Sequence, residues 1–189
     1  MRLIFNVLLA NSLFFVINSQ GANKNETLSE NWRYCYEFTW LGPDFNNHSS
    51  SSILNGTCKS YLNEKRAKNI PCSPPLVITE DGTPPNMTWL WEKKLPSILC
   101  IQSENKVCAK YTYKFNNKVH NITYMCTKAV QKNKGPLTSG CYSQTVDGYD
   151  VEACICNSDV GLRTRPCNKS FKAHINAVFL LFALIYLIL

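Results

Sequence analysis

Residues 141–156 read CYSQTVDGYDVEACIC, and this stretch is the most informative about the fold of the chain. Asp147-Gly148 separates two runs of strand-forming residues, which is a strong signal for a tight β-hairpin because the turn needs positive backbone angles. One cysteine opens the stretch and two close it. We therefore predict a hairpin whose ends belong to a disulfide framework.

A second hairpin is predicted immediately before it. Residues 110–115 alternate polar and aromatic side chains, the pattern of a strand with one wet and one packed face. We place the turn at residues 116–121 and the returning strand at 122–126. Packing into the core is the favoured interpretation for the aromatic side chains of the first strand, Tyr111, Tyr113 and Phe115.

The region before residue 100 is less regular. Cys58–Asn69 is compatible with a short helix that prolines then end, and residues 80–85 form a loop. Residues 88–95 fit a helix or a strand equally well. Three possible glycosylation sequences in this region indicate that much of it faces solvent.

The chain has ten cysteines, an even number that indicates five disulfide bonds in an oxidising compartment. A zinc site is the weaker interpretation, because the chain lacks a CxxC pair and has only three histidines. Spacing alone leaves the pairing open. The cysteines are Cys35, Cys58, Cys72, Cys100, Cys108, Cys126, Cys141, Cys154, Cys156 and Cys167.

The N-terminus has the pattern of a secretory signal peptide. Arg2 precedes an apolar run from Leu3 to Ile17, and small residues follow at Ser19 and Gly21. A buried helix or an N-terminal anchor is the alternative. We predict that residues 1–21 are removed and that residues 22–168 form one ectodomain.

The C-terminus has the pattern of a GPI-attachment signal. Residues 175–189 are apolar except for Asn176, and this run is shorter than the roughly 20 residues of a spanning helix. A short polar spacer precedes it, as such signals require. We predict lipid attachment at Asn168, with Ser170 as the alternative, and removal of residues 169–189. A short tail anchor is the competing interpretation.

The order of cysteines from Cys100 to Asn168 resembles the lymphocyte antigen 6 / urokinase receptor family of three-finger domains. The shared features are two hairpins, the close pair Cys154-Ile155-Cys156 and the terminal Cys167-Asn168. The 64 residues that follow Cys35 up to Cys100 exceed the usual first finger and are closer to long invertebrate members. The resemblance implies a small, disulfide-rich, mainly β three-finger domain with an enlarged first finger.

The resemblance also implies a disulfide pairing and a function. The pairs would be Cys35–Cys108, Cys58–Cys72, Cys100–Cys126, Cys141–Cys154 and Cys156–Cys167. Family members modulate or chaperone membrane receptors and ion channels, some of them neuronal, or act in adhesion and junction assembly. We expect a GPI-anchored protein on the outer face of the cell membrane with one of these partners; a secreted toxin-like ligand is the third possibility.

Charge adds a candidate partner surface. Residues 106–134 contain seven lysines and no acidic residue, and Lys110, Lys114 and Lys118 fall on or near one face of the predicted strand. Such a surface would favour an acidic partner. Loss of Arg2, Lys169 and Lys172 on maturation would leave 17 basic against 13 acidic residues, a net charge of +4 instead of +7. With a secretory signal, this modest charge does not indicate nucleic-acid binding.

The remaining expectations concern modification and catalysis. Sequons indicate possible N-glycosylation at Asn25, Asn47, Asn55, Asn86 and Asn121. We find no catalytic motif: GxSxG, HExxH and a phosphate-binding glycine loop are absent. The sequence therefore predicts a binding protein with no enzymatic activity, no metal and no cofactor.

Overall fold

A computed structural model describes residues 28–48, 53–54, 57–59, 70–131 and 135–169 of the chain. These residues are mainly in β-strands. The strands are β1 (Tyr34–Tyr36), β2 (Phe38–Trp40), β3 (Ile53–Leu54), β4 (Leu76–Val77), β5 (Leu99–Ile101), β6 (Val107–Phe115), β7 (Lys118–Thr127), β8 (Val130–Gln131), β9 (Gly135–Pro136), β10 (Gly140–Val146) and β11 (Tyr149–Cys156). The helix α1 (Met87–Lys94) and 3-10 helices at Pro43–His48 and Cys167–Lys169 complete the described elements.

Seven strands form one sheet in the order β10-β11-β6-β7-β2-β4-β3. Only the β2–β4 pair is parallel among the pairs of this sheet. The two predicted hairpins, β6–β7 and β10–β11, lie side by side because β11 pairs with β6 along its length. Strands β1 and β5 form a separate antiparallel pair, and so do β8 and β9.

The main core lies between one face of the sheet, β1 and α1. Phe38 and Tyr124 are cross-strand partners on this face, and their rings stack with centroids 4.5 Å apart. Tyr36 from β1 packs edge-on against both rings. Leu90, which is fully buried, is the contribution of α1. Aromatic residues thus supply much of the buried area that a small domain needs.

Five disulfide bonds link the described cysteines: Cys35–Cys108, Cys58–Cys72, Cys100–Cys126, Cys141–Cys154 and Cys156–Cys167. This pairing is the one that the family resemblance implies, and the prediction of a disulfide-rich, mainly β domain is confirmed. Cys35, Cys100, Cys108 and Cys126 form a buried cluster, with Cys156 and Cys167 packed against it. Disulfide bonds therefore fill this part of the interior, which aliphatic side chains would fill in a larger domain.

Residues 86–95 resolve the ambiguity of the sequence in favour of a helix. Asn86 caps α1, because its Oδ1 accepts hydrogen bonds from the backbone N–H groups of Thr88 and Trp89 at 2.9 and 3.2 Å. Lys93 and Lys94 lie in the last turn, where the helix dipole favours cations. Of the predicted helix at 58–69, only Cys58 and Lys59 are described, and both are helical. Within the described ranges, no helix has the length and apolar character needed to cross a membrane.

Candidate docking surface at the hairpin tips

The tips of the two hairpins are two-residue turns. Asn116 and Asn117 have φ values of 49° and 61°, and Asp147 and Gly148 have 50° and 82°. Positive φ at both central residues matches the right-handed twist of the flanking strands, and Asn, Asp and Gly tolerate it best. The Asp-Gly turn was predicted, but the first turn is shorter than predicted, because residues 118–121 already belong to β7.

A β-bulge shapes the end of the first hairpin. Tyr113 pairs with Asn121, whereas Lys114 pairs with Val119, so His120 is an extra residue on β7. Gly42 packs against this bulge at a φ of 95°, and a Cβ there would lie 1.9 Å from the carbonyl oxygen of His120. A glycine is therefore required at residue 42 for the chain to pass the bulge.

The bulge brings His120 to two aromatic residues of the neighbouring tips. The ring centroids of Phe115 and Tyr149 are 5.4 Å apart, and His120 lies 5.9 Å from Phe115 and 6.0 Å from Tyr149. Phe115 is 42% exposed, and Lys118, its cross-strand partner, is also exposed. We call these four residues, Phe115, Lys118, His120 and Tyr149, the tip surface.

The prediction that Phe115 packs into the core is therefore wrong. Tyr113 is 8% exposed, as predicted, but Thr112 on the predicted wet face is only 6% exposed, so burial does not alternate along residues 110–115. Thr112 is the cross-strand partner of Ile122, a residue of the main core, and therefore faces that core. Tyr111 is half-buried. From the sequence, His120 is interpreted as an ordinary loop residue. No pattern in the neighbouring residues predicts the bulge or the contact with Tyr149.

The three lysines of the predicted basic face have different surroundings. Lys114 Nζ lies 3.6 Å from Glu152 Oε2, with both side chains about 40% exposed. Lys110 is half-buried with its ammonium 5.9 Å from the Tyr124 ring centroid, and burial lowers its pKa. Lys118 alone lies at the tip. The structure thus places Lys114 beside Glu152 of β11, partly buries Lys110 and leaves Lys118 exposed at the tip.

A depression beside the tip surface is too small for a metabolite. His120, Asn121 and Tyr149 line it together with Leu41, Asp44, Phe45 and Ile70, and its volume is about 20 Å³. That is space for about one water molecule, whereas small-molecule sites usually exceed about 300 Å³.

Asn168, the predicted lipid-attachment residue, has a fully buried side chain that joins β1 to β6. Its Oδ1 accepts from Tyr36 N at 3.0 Å, and its Nδ2 donates to the carbonyl oxygens of Tyr36 and Ala109 at 3.1 Å each. Lipid attachment would use the backbone carboxyl of Asn168, so this geometry leaves that prediction open. Ser170, the predicted signal peptide and the apolar tail lie outside the described residues.

The predicted glycosylation sites separate into three groups. Asn86 is exposed, and its capping hydrogen bonds use Oδ1, so a glycan on Nδ2 is compatible with the helix cap. Asn121 is 1% exposed, and its Nδ2 donates to Trp40 O at 2.9 Å. A glycan on Asn121 would have to replace this buried hydrogen bond, so the folded domain disfavours glycosylation there. The side chains of Asn25, Asn47 and Asn55 lie outside the described part of the chain.

Two groups of side chains have the spacing of metal ligands. They are Cys35, Cys100 and Cys126 in the core, and Cys141, Glu152 and Cys154 near the sheet edge. All of these cysteines are in disulfide bonds, and no described cysteine is free. A disulfide sulfur is not the thiolate that metal sites use, so we assign neither group to a metal.

No family model, curated protein or solved structure matches this chain.

Proposed function

We propose that the protein is a GPI-anchored, three-finger-type binding protein of the cell surface, related to the lymphocyte antigen 6 / urokinase receptor family. It would modulate or chaperone a membrane receptor or ion channel through the tip surface. The disulfide pairing supports the family relationship, since all five bonds join the cysteines that the resemblance pairs. The enlarged first finger, between Cys35 and Cys100, differs from the short first finger usual in the family, because its strands β2, β4 and β3 extend the sheet beyond β7.

The observation that carries the binding role is the tip surface itself. Phe115, His120 and Tyr149 present an aromatic group at the ends of two hairpins, with Lys118 beside them. Aromatic residues next to a cation are typical anchors of protein interfaces. The disulfides and the bulge hold the group in place, so little conformational entropy is lost when a partner binds.

The first experiment tests the membrane attachment. Phosphatidylinositol-specific phospholipase C is applied to intact cells that express the full chain with a tag inserted after residue 22. Release of the tagged protein into the medium supports the GPI anchor. Retention on the cells contradicts it and favours a protein tail anchor, while secretion without treatment favours the soluble ligand.

The second experiment tests the tip surface. Phe115→Ser and Lys118→Glu are compared with Tyr142→Ser, which changes an aromatic residue of similar exposure on edge strand β10. Proximity labelling on intact cells identifies the receptor or channel captured by the wild type. We expect the two tip variants to reduce its capture about tenfold, the effect of losing an interface anchor worth roughly 1.4 kcal/mol. Equal capture by all three variants would exclude the tip surface as the docking site.

Adhesion is the second candidate, and strand β10 is the observation in its favour. It is the terminal strand of the seven-stranded sheet, its residues Gly140–Val146 include no charge, and nearly all of them are exposed. Such an edge can accept a strand from another protein. We would mix expressing with non-expressing cells and compare wild type with Ser143→Lys. Clustering at contacts that the variant abolishes supports adhesion; even staining in both cases argues against it.

A further inference from the structure

The end of the domain opposite the tips is formed by the segments that enter and leave the long strands. Strand β6 begins at this end and β11 finishes there. We call it the base and define it by the described residues among 30–33, 102–106, 128–139 and 157–169. Hydrogen bonds tie its segments together: Gln102 N donates to Arg33 O at 2.8 Å, Ser158 N to Gln102 Oε1 at 3.0 Å, Gly161 N to Trp32 O at 2.8 Å and Asn157 Nδ2 to Thr138 O at 3.3 Å.

The base carries an unusual share of the exposed apolar side chains. Six large hydrophobic residues are exposed in the described part of the chain, and three of them lie here: Trp32 at 40%, Val130 at 64% and Val160 at 53%. Trp32 and Val160 lie on adjacent segments, because Arg33 and Val160 form a β-bridge and Gly161 N donates to Trp32 O. The other three, Trp89, Phe115 and Tyr142, lie on different elements.

The base is also basic. Its acidic residues are Glu30, Glu104 and Asp159, against the five basic residues Arg33, Lys106, Lys128, Arg163 and Arg165. Lys169 is a sixth only where the lipid is attached at Ser170, since attachment at Asn168 removes it. Two of the three carboxylates accept hydrogen bonds within the base, Glu30 from Leu162 N and Asp159 from Thr164 Oγ1. The base therefore combines tryptophan and aliphatic side chains with an excess of positive charge, the composition of surfaces that contact lipid headgroups.

The chain leaves the domain at the base. Asn168 is buried against Tyr36 and Ala109, and Lys169 is the last described residue. Only residues 170–174 separate it from the apolar run 175–189, a span of roughly 20 Å at full extension. A lipid at Asn168 or Ser170, or the apolar run itself, would hold the base next to the bilayer.

We propose that the base is a membrane-contact surface that rests on the outer leaflet, with Trp32 and Val160 at the level of the headgroups and the basic residues on lipid phosphates. This inference rests on the membrane attachment in the proposed function. It adds an orientation: β6 is nine residues long, so the tip surface stands about 26 Å farther from the bilayer than the start of the strand. A partner bound by the tips would be a membrane protein with a tall ectodomain.

The test uses the full protein, purified with its anchor and reconstituted into phosphatidylcholine vesicles whose acyl chains are brominated near the headgroup. Flotation of the vesicles first measures attachment. Bromine quenches tryptophan at short range, so the wild type should lose fluorescence relative to unbrominated vesicles, and Trp32→Phe should abolish at least half of that loss. Trp40 is buried, and α1, which carries Trp89 and Trp91, is tied to the base by the hydrogen bond from Arg165 to Thr88 at 2.7 Å. The control is therefore a tryptophan placed at the opposite end of the domain.

A second variant reports on the opposite end. Phe115→Trp in the Trp32→Phe background places a tryptophan in the tip surface, and its fluorescence should not be quenched. Quenching that persists fully in Trp32→Phe, or that appears with Phe115→Trp, overturns the proposed orientation while membrane attachment stands. Protein that does not float with the vesicles refutes the attachment, and the inference with it.

Discussion

Replacing Asn168 tests the physical role of the residue that ends the described fold. Its side chain makes three buried hydrogen bonds, two to Tyr36 and one to Ala109. A hydrogen bond in a protein contributes about 1 kcal/mol net, and an unpaired buried group costs at least as much. Asn168→Ala should therefore lower the free energy of unfolding by about 3 kcal/mol. For a domain of this size, that corresponds to a decrease in Tm of roughly 10 °C.

Asn168→Asp sharpens the prediction because it keeps the shape and removes both donors. A carboxylate oxygen would then face the carbonyl oxygens of Tyr36 and Ala109, which raises the pKa of the new carboxyl above its usual value. Stability from a group with a raised folded pKa is present at low pH and is lost as pH rises through that pKa. The Asp variant should thus be more stable at pH 4 than at pH 7 relative to wild type.

The assay is thermal unfolding of the purified protein in detergent, followed by near-UV circular dichroism with the disulfides intact. Asn157→Ala is the matched control, since Asn157 is exposed and also bonds across the base; its Tm should fall by only about 2 °C, for a loss under 1 kcal/mol. A Tm of Asn168→Ala within 2 °C of wild type would refute the structural role. If that variant also lost its lipid, the asparagine would serve attachment alone.

Three further predictions follow from single contacts. A double-mutant cycle with Lys114→Ala and Glu152→Ala should give a coupling of about 0.5 kcal/mol that disappears in high salt, because both side chains are substantially exposed; a coupling above 2 kcal/mol would contradict this. Asn86→Gln should remove one glycan on a gel, whereas Asn121→Gln should remove none, since the Asn121 amide is buried. Burial raises the pKa of Tyr113 to about 12; stability should therefore fall between pH 10 and pH 12, less steeply in Tyr113→Phe, and identical alkaline profiles would exclude this cause.

The sequence predicted correctly those parts of the fold that depend on a few neighbouring residues or on the order of the cysteines. The Asp147-Gly148 turn and the strand at residues 110–115 each reflect a short-range rule, and both hairpins formed, although the turn of the first is Asn116-Asn117 and not residues 116–121. The disulfide pairing required the family resemblance, because ten cysteines permit many pairings and spacing does not distinguish them. The helix at 87–94 was ambiguous because its eight residues are too few for apolar periodicity to distinguish a helix from a strand.

The tip surface was not predictable because it depends on contacts between residues far apart in the chain. His120 joins Phe115 and Tyr149 only because β7 carries a bulge and β11 pairs with β6. The first finger holds the bulge in place, because Gly42 packs against the carbonyl oxygen of His120, where a side chain would clash. A change at residue 42, outside the tip surface, should therefore alter binding as strongly as a change within it. The enlarged first finger thus contributes to the domain in two ways: it adds strands at the edge of the sheet, and it packs against the bulge that positions the tip surface.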